Sequence, residues 1–82
     1  MRYIFSFRSR NAALRFRDDL YRNGVSCTLI NTPQEAGVGC GLSVRIEASQ
    51  LTAANRVLGI YPNAYYAGTF ELNVNGYVVR QL

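Results

Sequence analysis

Hydrophobic and polar positions alternate at the start of the chain. Arg2-Tyr3-Ile4-Phe5-Ser6-Phe7 has the two-residue period and aromatic content of a strand. The period then changes. Ser9 can cap a helix over residues 10–22, and Ala12, Ala13, Phe16 and Leu20 fall on one face of it. Asn23-Gly24 supplies the stop, and Val25 to Ile30 predicts a second strand. Thr32-Pro33-Gln34-Glu35 has the form of a capping box with proline at the first helical position, so a short helical turn ending at Gly37 is expected. Gly37-Val38-Gly39-Cys40-Gly41 is a segment of close backbone approach, and Leu42 to Glu47 alternates again as a strand. Ser49 is expected to cap a second helix reaching about residue 58, with Leu51, Ala54, Val57 and Leu58 facing the core. A fourth strand is predicted from Tyr65 to Val74. Asn75-Gly76 signals a two-residue hairpin turn, and Tyr77 to Gln81 returns as a fifth, short strand.

This order predicts an α+β fold, specifically a ferredoxin-like βαββαβ two-layer sandwich with an added C-terminal hairpin strand. With 82 residues the chain is expected to form a single domain over 1–82. A chain of this size buries about 60% of its unfolded surface, which leaves little room for a deep enclosed cleft. Shallow shared sites and interaction surfaces are expected instead, and a carrier or binding protein rather than a self-contained enzyme.

Composition narrows the chemistry. There is no histidine, which removes Ser-His and Cys-His nucleophile pairs from the chain. Two cysteines, Cys27 and Cys40, are too few for a structural zinc site or an iron–sulfur cluster. No metal or organic cofactor is expected. The opening residues lack an apolar targeting core and no uncharged stretch is long enough for a bilayer, so a cytoplasmic location with reduced thiols and no membrane partner is expected.

Cys40 stands between Gly39 and Gly41. Glycines on both sides let a reactant approach the sulfur and let backbone N–H groups turn toward it, which favours a thiolate, the attacking species in sulfur transfer. The other reading is a structural cysteine in a tight turn. Cys27 lies in phase with Val25 and Leu29 and is expected to face the core, with a resolving role toward Cys40 as the second reading.

The net charge is +4, and every positive residue is arginine. Asp18–Arg22 and Arg15–Asp19 are spaced to pair on the first helix. Arg8, Arg10 and Arg17 are left over, and either contact an acidic partner or form a solvated face. Tyr3, Phe5 and Phe7 could stack on RNA bases. The Lys/Arg-Gly-Phe-type companion motif is absent, however, and core packing is the plainer reading. Nucleic acid therefore ranks below protein as a partner. Leu14 and Tyr21, with Tyr65, Tyr66 and Tyr77, form a second apolar surface suited to a homodimer through a helix face or the terminal hairpin edge.

The run Thr32-Pro33-Gln34-Glu35 followed by Cys40-Gly41-Leu42-Ser43-Val44-Arg45-Ile46 resembles the selenium/sulfur carrier-like family of small bacterial proteins. Tyr3 to Phe7, Ala13-Leu14, Leu20, Asn23-Gly24-Val25 and Tyr66-Ala67-Gly68 fit the same pattern, so the resemblance covers roughly residues 2–71. It implies that Cys40 carries sulfur or selenium between donor and acceptor proteins. Gly39, Gly41, Thr32 and Glu35 are expected as the surrounding binding segment, and the unpaired Arg8, Arg10 and Arg17 are further candidate contacts. Members often carry a polar or basic residue after Thr-Pro, where this chain has the uncharged Gln34, and Asn73 to Leu82 extends past the family's usual end. The competing expectation is a non-enzymatic binding or regulatory module that contacts a protein or nucleic acid through its arginine and tyrosine surface.

Overall fold

The computed structural model describes residues 1–37 and 41–82. Strand β1 (Arg2–Phe7) leads to helix α1 (Arg10–Arg22), then to strand β2 (Thr28–Asn31) and a 3-10 turn at Gln34–Ala36. Strand β3 (Leu42–Glu47) runs through a second 3-10 turn at Ala48–Gln50 into helix α2 (Leu51–Ile60), followed by strands β4 (Tyr66–Leu72) and β5 (Val78–Gln81). The five strands form one sheet in the order β2-β3-β1-β4-β5, antiparallel at every junction. The fold is α+β. Among the described residues no helix is long and apolar enough to cross a membrane.

Helix α1 is closed at both ends by its own sequence. Ser9 is extended and its Oγ accepts the Ala12 N–H at 3.3 Å. At the other end Gly24 is left-handed, at φ 74°. Its N–H donates to Tyr21 O and the Val25 N–H to Leu20 O, the paired bonds of a Schellman stop. This cap explains why β2 begins at Thr28 rather than Val25. Val25 is already held by the helix end, and its side chain packs in the core with Leu20.

One face of the sheet carries the main core. Strand alternation turns Tyr3, Phe5 and Phe7 to the same side. Register sets Tyr3 opposite Ile46 and Phe5 opposite Val44. Ala12, Ala13, Phe16 and Leu20 of α1 and Ala54 and Val57 of α2 close over them. Phe16 lies 5.0 Å from the Phe5 ring and 5.3 Å from the Phe7 ring, and Tyr66 packs against both strand rings. The aromatics of β1 are therefore core residues, and Phe5 and Phe7 are fully buried. Leu51 and Leu58 pack at the edge of this cluster as half-buried residues.

The opposite face is covered too. Ile4, Phe70 and Leu72 are buried there against Ala36 of the first 3-10 turn, with Ile30 and Val78 at the margin. The first 3-10 turn thus lies across the sheet and meets β5.

Three local expectations are corrected. The expected capping box at Thr32 and Glu35 does not form. Pro33 is the N-cap, no side chain caps the turn, Glu35 is exposed, and the Thr32 hydroxyl bonds to Ser43 instead. Gly37, at φ 66°, ends the turn as expected. Ser49 does not cap α2, because it lies inside the preceding 3-10 turn and Gln50 takes the N-cap position. The Asn75-Gly76 turn is not a two-residue loop. Asn73 N–H donates to Tyr77 O across three loop residues, Gly76 is left-handed at φ 85°, and Asn75 has a negative φ. Asn73 Oδ1 organises this loop by accepting from Asn75 N–H and Tyr77 N–H.

Candidate functional site

The antiparallel register brings the C-terminal end of β1, the N-terminal ends of β3 and β4, and the C-terminal end of β2 to one end of the sheet. Cys40 and Gly39 lie outside the described residues, but the root of their loop is described. Asn31 pairs with Leu42, and beyond that pair Thr32 N–H donates to Gly41 O at 2.8 Å. Gly41 is exposed and sits at φ 90°, a backbone conformation that favours glycine. The hydrogen bond therefore fixes the Gly41–Leu42 peptide at the root of the loop.

Beneath this root lies a line of three hydroxyls. Ser6 Oγ and Ser43 Oγ are 2.8 Å apart, and Ser43 Oγ is 2.6 Å from Thr32 Oγ1. Ser6 and Ser43 are fully buried, and Thr32 is half-buried. They face each other because Ser6 pairs with Ser43 on adjacent strands and Ile30, two residues before Thr32, pairs with Ser43 on the other side. The reading of the sequence missed Ser6 and Ser43. The available signal was a serine between two apolar residues in each of two strands, Phe5-Ser6-Phe7 and Leu42-Ser43-Val44.

Of the arginines singled out, Arg8 and Arg10 lie at this end of the sheet, exposed, and make no ion pair among the described residues. The Arg8 N–H anchors Tyr65 O at 2.8 Å, tying the end of β1 to the approach to β4. Arg17 does not join them. It pairs with Asp18 at 3.0 Å and lies 5.9 Å from the centre of the Tyr21 ring. The expected Asp18–Arg22 pair is replaced by Arg22–Asp19 at 3.0 Å, while Arg15–Asp19 forms at 3.7 Å. Asp19 is the buried carboxylate of the helix, so it collects both guanidinium groups. Glu35 sits on the 3-10 turn over the far face and makes no ion pair among the described residues.

A groove of about 420 Å³ opens at the same end, between Ser9, Asn11 and Arg15 of the α1 entry and Asn63 and Tyr65 of the α2–β4 connection. Tyr65 and Tyr77 are exposed as expected, whereas Tyr66 is half-buried and belongs to the core edge. Cys27 packs against the main core, half-buried, with Sγ 4.0 Å from Arg17 O. Burial pushes its thiol pKa up, partly offset by Tyr21 and Arg17.

A small antiparallel α+β scaffold with a glycine-flanked cysteine on one connection is the class of protein this fold and sequence define. The model of the family described as "Putative Se/S carrier protein-like" matches residues 2–67, and the chain belongs to that family. The match includes β1 through the start of β4, and β5 lies beyond it. No curated protein and no solved structure gives a significant match.

Proposed function

We infer that this chain is a carrier that holds sulfur or selenium on Cys40 and passes it to a partner protein. The observation that carries this reading is the family match, which spans both Cys40 and Gly41. The described geometry supports it, since the loop root beside Cys40 is pinned by Thr32 and turned by a left-handed Gly41. In the transfer step, the Cys40 thiolate attacks the outer sulfur of a donor persulfide, R–S–SH. The donor S–S bond breaks, R–S⁻ leaves, and Cys40–S–SH forms with charge and protons balanced. An acceptor thiolate removes that sulfur by the same exchange. The base that supplies each thiolate belongs to the partner, which suits a chain without histidine.

Residues 1–82 act as one domain in this reading, in the reducing cytoplasm, where a free thiol persists. The ferredoxin-like arrangement is supported by β3 lying between β1 and β2 and β1 lying between β3 and β4, with β5 appended at the edge. A second reading, a binding module that uses Arg8 and Arg10, is favoured by their freedom from ion pairs among the described residues.

Intact-protein mass spectrometry after incubation with a small-molecule persulfide tests the carrier reading. Wild type and Cys27→Ser gain one sulfur, and Cys40→Ser gains none. A folded, reduced wild type that gains nothing sinks it.

A further inference from the structure

The groove beside the α1 entry has walls from two distant parts of the chain, and hydrogen bonds hold them together. Asn63 Nδ2 donates to Ala12 O at 3.1 Å, Asn63 Oδ1 accepts the Tyr65 N–H at 3.1 Å, and an Arg15 nitrogen donates to Pro62 O at 3.2 Å. The cleft is therefore built before anything binds, and an occupant is spared the cost of ordering it. Its chemistry is one-sided. No carboxylate is among the described residues that line it. Asn11 and Tyr65 are exposed, and the Asn11 amide and the Tyr65 hydroxyl have no hydrogen-bond partner among the described residues. Arg15 lies 3.7 Å from Asp19, but that carboxylate is held more closely by Arg22 at 3.0 Å, so the Arg15 charge is only partly neutralised. Arg8 and Arg10 flank the lining residue Ser9 in sequence, are exposed, and make no ion pair among the described residues.

We propose that this groove docks an acidic peptide segment of a partner protein, whose carboxylates meet Arg15 and the Arg8–Arg10 pair while the Asn11 amide and the Tyr65 hydroxyl bond to its backbone. This deepens the second reading, in which Arg8 and Arg10 contact a partner, and it holds whether or not Cys40 carries sulfur. Charge complementarity selects the occupant: a wall with three guanidinium groups beside it and no carboxylate in its lining attracts a polyanion and repels a basic segment. The groove encloses about 420 Å³ but opens to solvent, so a small carboxylate would stay largely in water there. A peptide laid through it continues past both ends and gains contacts on the way. Nucleic acid fits less well, because single strands are held by stacking on exposed aromatic side chains. Phe5 and Phe7, the aromatics that could have formed such a platform on β1, are fully buried.

The test is a titration of the full chain with blocked hexaglutamate, followed by backbone amide chemical shifts at low salt. The amides of Asn11, Ala12, Asn63, Ala64 and Tyr65 are expected to move together. Arg15→Gln weakens the binding by about threefold to fivefold, the effect of losing one exposed charge contact. Arg56→Gln removes the same charge from an exposed position on α2 that does not line the groove, and leaves the binding unchanged. The same spectra show which variants fold. If Arg15→Gln does not, the double variant Arg8→Gln/Arg10→Gln, which breaks no ion pair among the described residues, replaces it with the same expectation. Groove amides that stay still overturn the proposal. So does a loss of binding in Arg56→Gln equal to that in the groove variant, which would mark the attraction as net charge alone. An oligothymidylate that moves the same amides at lower concentration than hexaglutamate overturns it in favour of nucleic acid. Sulfur uptake is read by mass and docking by chemical shift, so each can fail without the other.

Discussion

Thr32 and Gly41 close the root of the β2–β3 connection, with the Thr32 N–H 2.8 Å from the Gly41 carbonyl oxygen. The bond extends the ladder one step past the Asn31–Leu42 pair. It holds the nine-residue separation between Thr32 and Gly41 as a closed loop, with Ala36 anchored on the sheet in between.

Gly41→Ala tests how much of that root depends on backbone conformation. A Cβ at residue 41 meets no atom within 4 Å, so the cost comes from φ 90° and not from a clash. Chemical denaturation is expected to show a loss of about 1–2 kcal/mol. A neutral result would mean that the root relaxes freely.

Arg80→Ala is expected to cost more than Arg2→Ala. The Glu71 side chain is only 8% exposed and meets Arg80 Nε at 2.8 Å, so removing the guanidinium strands a largely buried carboxylate. A loss of about 1.5–3 kcal/mol follows. Arg2 and Glu47 meet at 2.9 Å, but both are well exposed, and their pair contributes under about 1 kcal/mol. Urea midpoints of the two variants give the comparison, and equal losses would contradict it.

The aromatic centre sets the stability of the helix layer. Phe16→Ala removes the ring that bridges Phe5 and Phe7 and is expected to cost about 3–5 kcal/mol. Small domains have only about 5–15 kcal/mol to lose, so thermal unfolding shifts to much lower temperature. Phe16→Leu retains most of the apolar contact and is expected to melt between the two.

Cys27 gives a pH signature. Burial favours its protonated form in the fold, so its folded pKa lies above the unfolded value near 9.0. The associated stability is complete below the unfolded pKa and is lost as pH rises through the folded one. Wild type should therefore lose more stability than Cys27→Ala as pH is raised through that window. Urea denaturation at several alkaline pH values measures the difference, and parallel curves for the two proteins would remove Cys27 as the cause.

Features whose partners lie close in sequence were legible without coordinates. Ser9 and Ala12 are three residues apart, and Leu20 and Val25 are five apart, so the caps of α1 are written locally. The alternation of β1 placed Phe5 and Phe7 on one face, and Cys40-Gly41 with its Thr-Pro-containing approach pointed to the family. The charge pairs of α1 were half legible. Spacing allows Asp18 or Asp19 to take Arg22, and burial of Asp19 made the choice.

The sequence by itself determined the order of the elements, the caps of α1 and the family, because these depend on neighbours within a turn or on a contiguous motif. Tertiary structure alone decided what the Thr32 side chain does. A threonine before proline can cap the next turn, but here the sheet offers it Ser43, eleven positions away, and Ser6 stands behind Ser43 across a further 37. Those distances in sequence collapse to hydrogen-bond length only when β3 is inserted between β1 and β2. The covered second face has the same origin. Ala36 in a short polar turn carries no apolar period of its own, and it is buried because the fold lays that turn over Ile4, Phe70 and Leu72.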